Sequence, residues 1–348
     1  MRVVRRMEEI MSEWRIEVVR IGEVEHHPNA DRLDTTHVHG GYPCIVRRGE
    51  FAPRDFAVYI PVDTLLPADD PRWDWLAKGR TPVSSDGRLY HRIRAVKLRG
   101  VFSMGLLVPC PGGHSVGDDL AETFGARKYE PPEPTVMGGE NEKDPGFLPV
   151  YDVEALRRHP DVLREGEDVV ITEKIHGANG RWAWHRNRLW VASHRCFKRA
   201  PEDSAEGTPP VIWWRVAVEY RLAKVLAEHP GLAIYGEVFG RVQDLRCGGG
   251  LQLAVFDMLD ITSRRWLDFN EAQEMVAALG LPWVPVLYRG PWSPDLVSHA
   301  EGQSTRGVHV REGIVIRPTV ERWDDGIGRV QLKMHGEGYL TRKKGKRP

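Results

Sequence analysis

The 348-residue sequence predicts an α+β protein in two parts, a small N-terminal β-barrel followed by a larger α+β domain. Three observations predict it. Short apolar runs punctuated by Gly and Pro fill the first 128 residues. A stretch rich in Pro, Gly and acids, residues 129–149, breaks both helix and strand. Beyond it, strand-like runs mix with helical spacings, without the regular alternation of a parallel sheet.

In the first part, residues 16–24, 35–38 and 44–46 are apolar and β-branched at alternate places, and 56–62 and 101–108 continue the series. Short strands at this spacing suggest a small barrel or sandwich. From Lys78 to Arg99 stand seven Lys or Arg and one acid, Asp86, a net +6 over 22 residues. On a β-hairpin such a run is either a solvated face or an electrostatic footprint for nucleic acid. Residues 129–149 hold five prolines and three glycines and read as a linker between domains at 1–128 and 150–348. In the second part, residues 153–164 and 213–228 carry helical spacing, and 270–279 reads as a helix starting at a polar cap. Residues 168–175, 189–192, 232–238, 251–258, 308–317 and 329–334 read as strands.

Composition narrows the class. With 41% hydrophobic and 28% charged residues the chain is not disordered throughout. Lys plus Arg and Asp plus Glu are 49 each, so overall charge points to no polyanionic partner. The uncharged stretch 101–117 is interrupted by two prolines and four glycines and is no spanning helix. The first 14 residues are charged and lack the apolar run of a signal peptide. Cys44, Cys110, Cys196 and Cys247 lie far apart with no Cys-x-x-Cys pair, which argues against a cysteine-based zinc site and a disulfide framework. The expectation is a cytoplasmic protein with reduced thiols and no membrane partner.

One segment stands out for chemistry, Thr172-Glu173-Lys174-Ile175-His176-Gly177-Ala178-Asn179. Lys174 ends a β-branched strand, and a lysine sheltered there can act as a nucleophile once its pKa is lowered. Gly177 lets a ligand approach the backbone closely. By itself the segment also reads as an exposed lysine ahead of a hairpin glycine. Other segments add weight. Glu237 sits between Gly236 and Gly240, Glu312 opens a strand with Gly313, and Lys333 lies inside an apolar strand. Phe256-Asp257 ends another strand, and Ser193-His194-Arg195 follows a further one. Two lysines, two carboxylates, an arginine and an aromatic on the strands of one domain can hold a nucleotide and Mg²⁺. Positive charge nearby would lower the pKa of Lys174 and free the amine.

This ordered series resembles the covalent nucleotidyltransferases, the superfamily of ATP-dependent ligases and capping enzymes, over about residues 168–345. His176 and Asn179 are similar to the RNA-ligase branch, where DNA ligases and capping enzymes have Asp and Arg. The resemblance implies an ATP-grasp-like nucleotidyltransferase (ligase) domain using ATP with Mg²⁺ or Mn²⁺. It implies Lys174 as the nucleophile that carries AMP, with Glu312 and Lys333 as its catalytic partners. It further implies Glu237 on the ribose, Phe256 on adenine, Lys333 on the α-phosphate, and Asn179 and Arg195 on phosphate or ribose. Glu173 and Gly177 complete the ATP-binding set, and Glu237 and Glu312 are the implied metal-linked carboxylates. The family often carries a second lysine where this chain has His335.

Domain order narrows the resemblance. DNA ligases and capping enzymes carry an OB-fold after the last motif, whereas here 15 residues follow Lys333 and the barrel comes first. The segment His27-Pro28-Asn29-Ala30-Asp31-Arg32-Leu33 resembles the OB-fold of tRNA-binding modules. An OB-fold-like barrel followed by a nucleotidyltransferase resembles the Deinococcus-type RNA ligases, the fifth RNA ligase family. The implied activity is ATP-dependent sealing of a 3′-OH RNA end to a 5′-phosphate, with a nicked RNA-containing duplex as partner. The rival expectations are a DNA ligase or capping-type guanylyltransferase, and a nucleic-acid-binding protein with an inactive transferase fold.

Overall fold

The computed structural model describes residues 14–77, 83–85, 87–130, 138–201, 211–245 and 247–342. They form two units, one from the chain up to residue 131 together with 155–161, the other from 132–154 and the chain from 162 onward.

In the first unit the central sheet sets Phe56–Ile60 between Glu17–Arg20 and Leu106–Pro109, all antiparallel. Both faces of this sheet are buried. Val18, Val58 and Ile60 face one apolar cluster with Trp73, Leu76 and Phe124, while Val19, Ala57 and Tyr59 face another with Val38, Cys44 and Phe51. The run Ala57–Ile60 is therefore apolar at every position rather than at alternate ones. A second sheet orders Val24–His26, Leu33–Val38 and Tyr42–Arg47. The expected strand at 101–108 is two strands, Val101–Ser103 and Leu106–Pro109. Gly105 separates them at φ +80°, a conformation that side chains other than glycine rarely adopt.

The basic run falls on two hairpins. Val83–Ser85 pairs with Arg88–Arg92, and Val96–Leu98 with Val101–Ser103. Lys78, Arg80 and Asp86 lie outside the described residues. Arg88 and Arg92 sit 2.5 Å from Asp69 and Asp63, so part of the positive charge is neutralised within the unit.

Among the described residues the second unit holds two large antiparallel sheets and a two-stranded hairpin, Trp323–Asp324 with Gly328–Arg329. The larger orders Asn141–Glu142, Phe197–Lys198, Arg188–Ser193, Ala178–His185, Leu232–Phe239, Gln252–Asp260 and Arg265–Trp266. One of its faces packs on helices Ile212–Glu219, Leu222–Ala227 and Phe269–Ala278 through Trp182, Trp213, Val216, Leu226 and Val276. The other buries Leu148, Tyr151, Trp190, Phe197 and Tyr235. In the smaller sheet, Leu332–His335, Gly313–Pro318, Asp168–Lys174 and Val286–Pro291 are neighbours in that order. Ile175, Phe239, Ala254 and Val284 form a common apolar cluster between strands of the two sheets.

Three helical expectations change. Residues 153–164 form a short bridge and turns, because Pro160 forbids helix at that point and restricts His159 before it. Residues 213–228 form two helices, since Arg221 between them takes the left-handed conformation at φ +51°. The helix expected at 270–279 is Phe269–Ala278. Asp268 precedes it, but its carboxylate accepts from the Glu321 amide rather than capping the helix. The strand expected at 308–317 begins only at Gly313.

Candidate active site

Strand register sets the site. In the smaller sheet Lys174 lies opposite Gly313, and Gly313 opposite His335; one row away, Thr172, Val315 and Lys333 are aligned. Cross-strand partners share a sheet face and neighbours along a strand alternate, so Lys174, Lys333 and His335 face one way and Glu173 faces the other. Glu173 is buried and spent there. Its carboxylate accepts from the Ser304 and Thr305 hydroxyls at 2.6 Å and from the Thr305 amide at 3.0 Å. It anchors the turn at 304–305, a role the sequence did not reveal.

Lys174 Nζ donates to Glu312 Oε1 at 2.5 Å, with 27% of the lysine side chain exposed and Glu312 buried. The other oxygen of Glu312 accepts from His176 Nδ1 at 2.8 Å, and His335 Nε2 lies 3.5 Å from Oε1. Burial pushes the Glu312 carboxyl up, but Lys174 and the two histidines outweigh it and hold it well below the usual carboxylate range.

Lys174 behaves contrary to the expected lowering of its pKa. Burial does press the ammonium downward, but Glu312 and Glu237 together outweigh burial and hold it above the ordinary lysine range. The site is net acidic around its lysine, so cationic neighbours do not set the protonation of Nζ. Glu237 shows the other side of this balance. Burial pushes its carboxyl up to about 8; Lys174 and the Gly177 amide pull it down, while Glu312 adds repulsion.

The larger sheet contributes the opposite wall. Asn179 lies opposite Glu237, and Glu237 opposite Ala254, so these side chains share a face. The Asn179 side-chain oxygen is buried and has no hydrogen-bond partner among the described residues. The chain turns at Gly177 between the lysine strand and Ala178–His185. A methyl group there would stand 2.3 Å from the Val238 carbonyl oxygen, so only glycine fits. Phe256 lies inside its strand rather than at its end. It is the extra residue of a β-bulge, because Tyr235 pairs with Asp257 and Gly236 with Val255. Bulges re-aim side chains beside functional sites. The Phe256 ring is half-buried, 4.7 Å from that of Tyr151.

Lys333 acts electrostatically on His335 and, with Arg195, also on Asp152. The Asp152 carboxyl is held below its usual range first by a hydrogen bond from His194, despite burial. Arg195 is exposed in the turn after Arg188–Ser193. Asp257, next to Phe256, faces away from this chemistry. It is fully buried on Arg317 at 3.0 Å and Arg329 at 2.7 Å, and accepts from Tyr151 and Gln331.

Lys174, Glu237, Glu312, Gly177 and Asn179 thus meet at one end of the two sheets. Glu237, Glu312 and the orphaned Asn179 oxygen are hard oxygen donors that suit a divalent cation able to keep most of its waters. Among the described residues no group of three or more His, Cys, Asp or Glu forms a ready metal cage. Sequence reasoning missed Asp152, Asp244 and Tyr339. The latter two belong to the surroundings of His176, and no motif spacing signals them.

Residues 167–335 match the family model described as RNA ligase, and residues 16–110 match an OB-fold domain model. The chain is similar to Naegleria gruberi RNA ligase solved with PPi, at 25% identity over 94% of this chain and 98% of that one, with a TM-score of 0.79. It is similar to two variants of that ligase, both at 24% identity. One, with AMP and Mn, has a TM-score of 0.81 over 94% and 98% of the two chains. The other, with ATP and Mn, has a TM-score of 0.80 over 93% and 97%. No curated protein matches the chain.

Proposed function

We propose that this chain, whose residues 167–335 match an RNA ligase model and 16–110 an OB-fold model, is an ATP-dependent RNA ligase that seals a 3′-OH RNA end to a 5′-phosphate at nicks in duplexes. The observation that carries the proposal is the 2.5 Å contact of Lys174 Nζ with Glu312 at the mouth of the site, beside a desolvated Glu237. This is a nucleophile held in place by one acid and faced by a second. The Naegleria ligase it resembles is solved with ATP, AMP, PPi and Mn, which supports ATP and a divalent cation for this chain.

In the first step Lys174 Nζ attacks the α-phosphorus of ATP. The N–P bond forms as the bond to the β-phosphate oxygen breaks, and pyrophosphate leaves. Nζ must lose a proton before it attacks, and with 27% of its side chain exposed that proton passes to water. A 5′-phosphate oxygen then attacks the lysine-bound AMP, and the 3′-OH finally attacks the adenylylated end and releases AMP. Lys333 and Arg195 offset charge on the transferring phosphate; Phe256 offers its half-buried ring to adenine, and Glu237 and Asn179 hold the ribose side. Glu237 and Glu312 would hold a divalent cation, which would supply further charge neutralisation. Phosphoryl transfer depends mainly on such positioning and neutralisation.

The order of domains, barrel first, supports the Deinococcus-type family within the ligases. We assign the barrel, residues 1–128, as the duplex clamp and residues 150–348 as the adenylyltransferase, and place the protein in the cytoplasm. Among the described residues no helix is long and apolar enough to cross a membrane. The test is twofold. α-Labelled ATP, but not GTP, is expected to label the chain, and sealing is expected on nicked duplexes with RNA at the 3′-OH side. Labelling by GTP, or sealing only of all-DNA nicks, overturns the proposal.

A further inference from the structure

The acid that holds the nucleophile is itself held from behind by groups outside the motif set. His176 Nδ1 lies 2.8 Å from Glu312 Oε2, and His176 Nε2 lies 2.8 Å from Asp244 Oδ1. Its two ring nitrogens face the two acids, one each, so the ring bridges Glu312 and Asp244. His176 is buried, and 27% of the Asp244 side chain is exposed. Asp244 is fixed in turn by Arg342, whose Nη2 is 3.2 Å from Oδ2. The Arg342 guanidinium stacks on Tyr339 at 3.6 Å, and the Tyr339 hydroxyl is 3.1 Å from His176 Nδ1. The segment carrying Asp244 also bonds to the nucleophile turn through Gln243, which donates to the Gly177 carbonyl.

We propose that Asp244 is a positioning residue for lysine adenylylation, acting through His176 to fix the Glu312 carboxylate that orients Lys174. The inference rests on the ligase reading and deepens it. Geometry favours this role over a bulk structural one. Asp244 stands in an irregular segment after Leu232–Phe239, outside both sheets, and its carboxylate pairs with His176 and Arg342. A carboxylate free to rotate on its rotamers would hold Nζ in many orientations. One pinned at both oxygens holds it in one, and near-attack geometry is what such pinning supplies.

A double-mutant cycle on the full-length chain tests this. Asp244→Ala is expected to slow single-turnover lysyl-AMP formation roughly 10- to 100-fold at saturating ATP. The KM for ATP is expected to stay within about threefold. Asp244→Glu is expected to recover much of the rate. His176→Ala is expected to slow the reaction by a similar factor, and the double variant to be no slower than His176→Ala alone, because both act along one path. A separate readout is the imidazole nitrogen shifts of His176, which are expected to change in Asp244→Ala without nucleotide. Multiplying effects in the double variant, or an unchanged rate in Asp244→Ala, overturns the inference. A rate loss matched by a drop in melting temperature, with no rescue by Asp244→Glu, also overturns it. Absence of any adduct in the unaltered chain would instead overturn the ligase reading.

Discussion

At the residue scale the site is a balance among three charges, Lys174, Glu237 and Glu312, taken out of water. Lys174→Ala is expected to abolish labelling by α-labelled ATP while leaving some sealing of a pre-adenylylated nick, a step that needs no lysine nucleophile. Full labelling of that variant sinks the assignment. Glu312→Ala and Lys333→Ala are each expected to slow adenylylation by ~10²-fold or more, the loss common when one charged group leaves a preorganised site. Rates within a few-fold of the parent for both would mean that the site is elsewhere. Glu237 gives a pH test. Its carboxyl is pushed up to about 8 from an ordinary 4.5. The folded protein therefore keeps a proton that the unfolded chain loses, and stability falls as pH rises from about 4.5 through 8. In Glu237→Gln that loss is removed. The melting temperature of this variant minus that of the parent, without nucleotide, is expected to grow between pH 5 and pH 9; a constant difference would refute it.

At the element scale, the strand Gln252–Asp260 serves two sides. Its bulge sets the Phe256 ring beside Tyr151 and leaves Asp257 buried between Arg317 and Arg329. Arg329 also bonds Glu321, which pairs with Arg317. Such a network adds little net stability, but breaking it strands charge. Asp257→Asn is expected to destabilise the second unit by about 3–5 kcal/mol in urea unfolding, because two guanidinium groups lose their buried counter-charge. Burial presses the Asp257 carboxyl upward, but Arg317 and Arg329 prevail and hold it at about 2. Its contribution is complete above its ordinary value of 3.8 and is lost as pH falls through 2. An unfolding midpoint unchanged in Asp257→Asn would show that the network is dispensable.

At the scale of the whole molecule, the candidate ATP residues and an exposed basic cluster fall in different units. The residues assigned to ATP lie from Glu173 to Lys333, all in the second unit, whereas the exposed basic residues Arg94, Lys97 and Arg99 lie in the first. Lys97, Leu98 and Arg99 lead into the turn of a hairpin that is tied down by the 27–33 loop. Asn29 Nδ2 donates to the Arg99 carbonyl at 2.9 Å, and His27 Nε2 lies 3.1 Å from the Leu98 carbonyl. Replacing Arg94, Lys97 and Arg99 together with alanine is expected to weaken binding to a nicked duplex and lower its log–log salt slope by about 2 to 3, at roughly 0.9 per phosphate contact. Lysyl-AMP formation is expected to stay unchanged. An unaltered salt slope would show that this hairpin does not grip phosphate.

The sequence by itself determined the barrel-then-α+β order and the chemical inventory, because strand-ending Lys174, Glu312 beside Gly313, and Lys333 in an apolar run are local patterns. It missed Ala178–His185, the strand that joins the nucleophile turn to the larger sheet, since Asn179, Gly180 and Arg181 at its start break any apolar run. It read a helix through Pro160 and one helix across Arg221, where local spacing hid the break. The tertiary structure alone decided which side chains share a face. Register sent Glu173 away from the site toward Ser304 and brought Lys174, His176 and Glu312 together across 138 and 136 residues of chain. It also reversed the expected pKa of Lys174. Charge balance in a buried site depends on distances between strands, and those distances follow from sheet pairing rather than from neighbours in sequence.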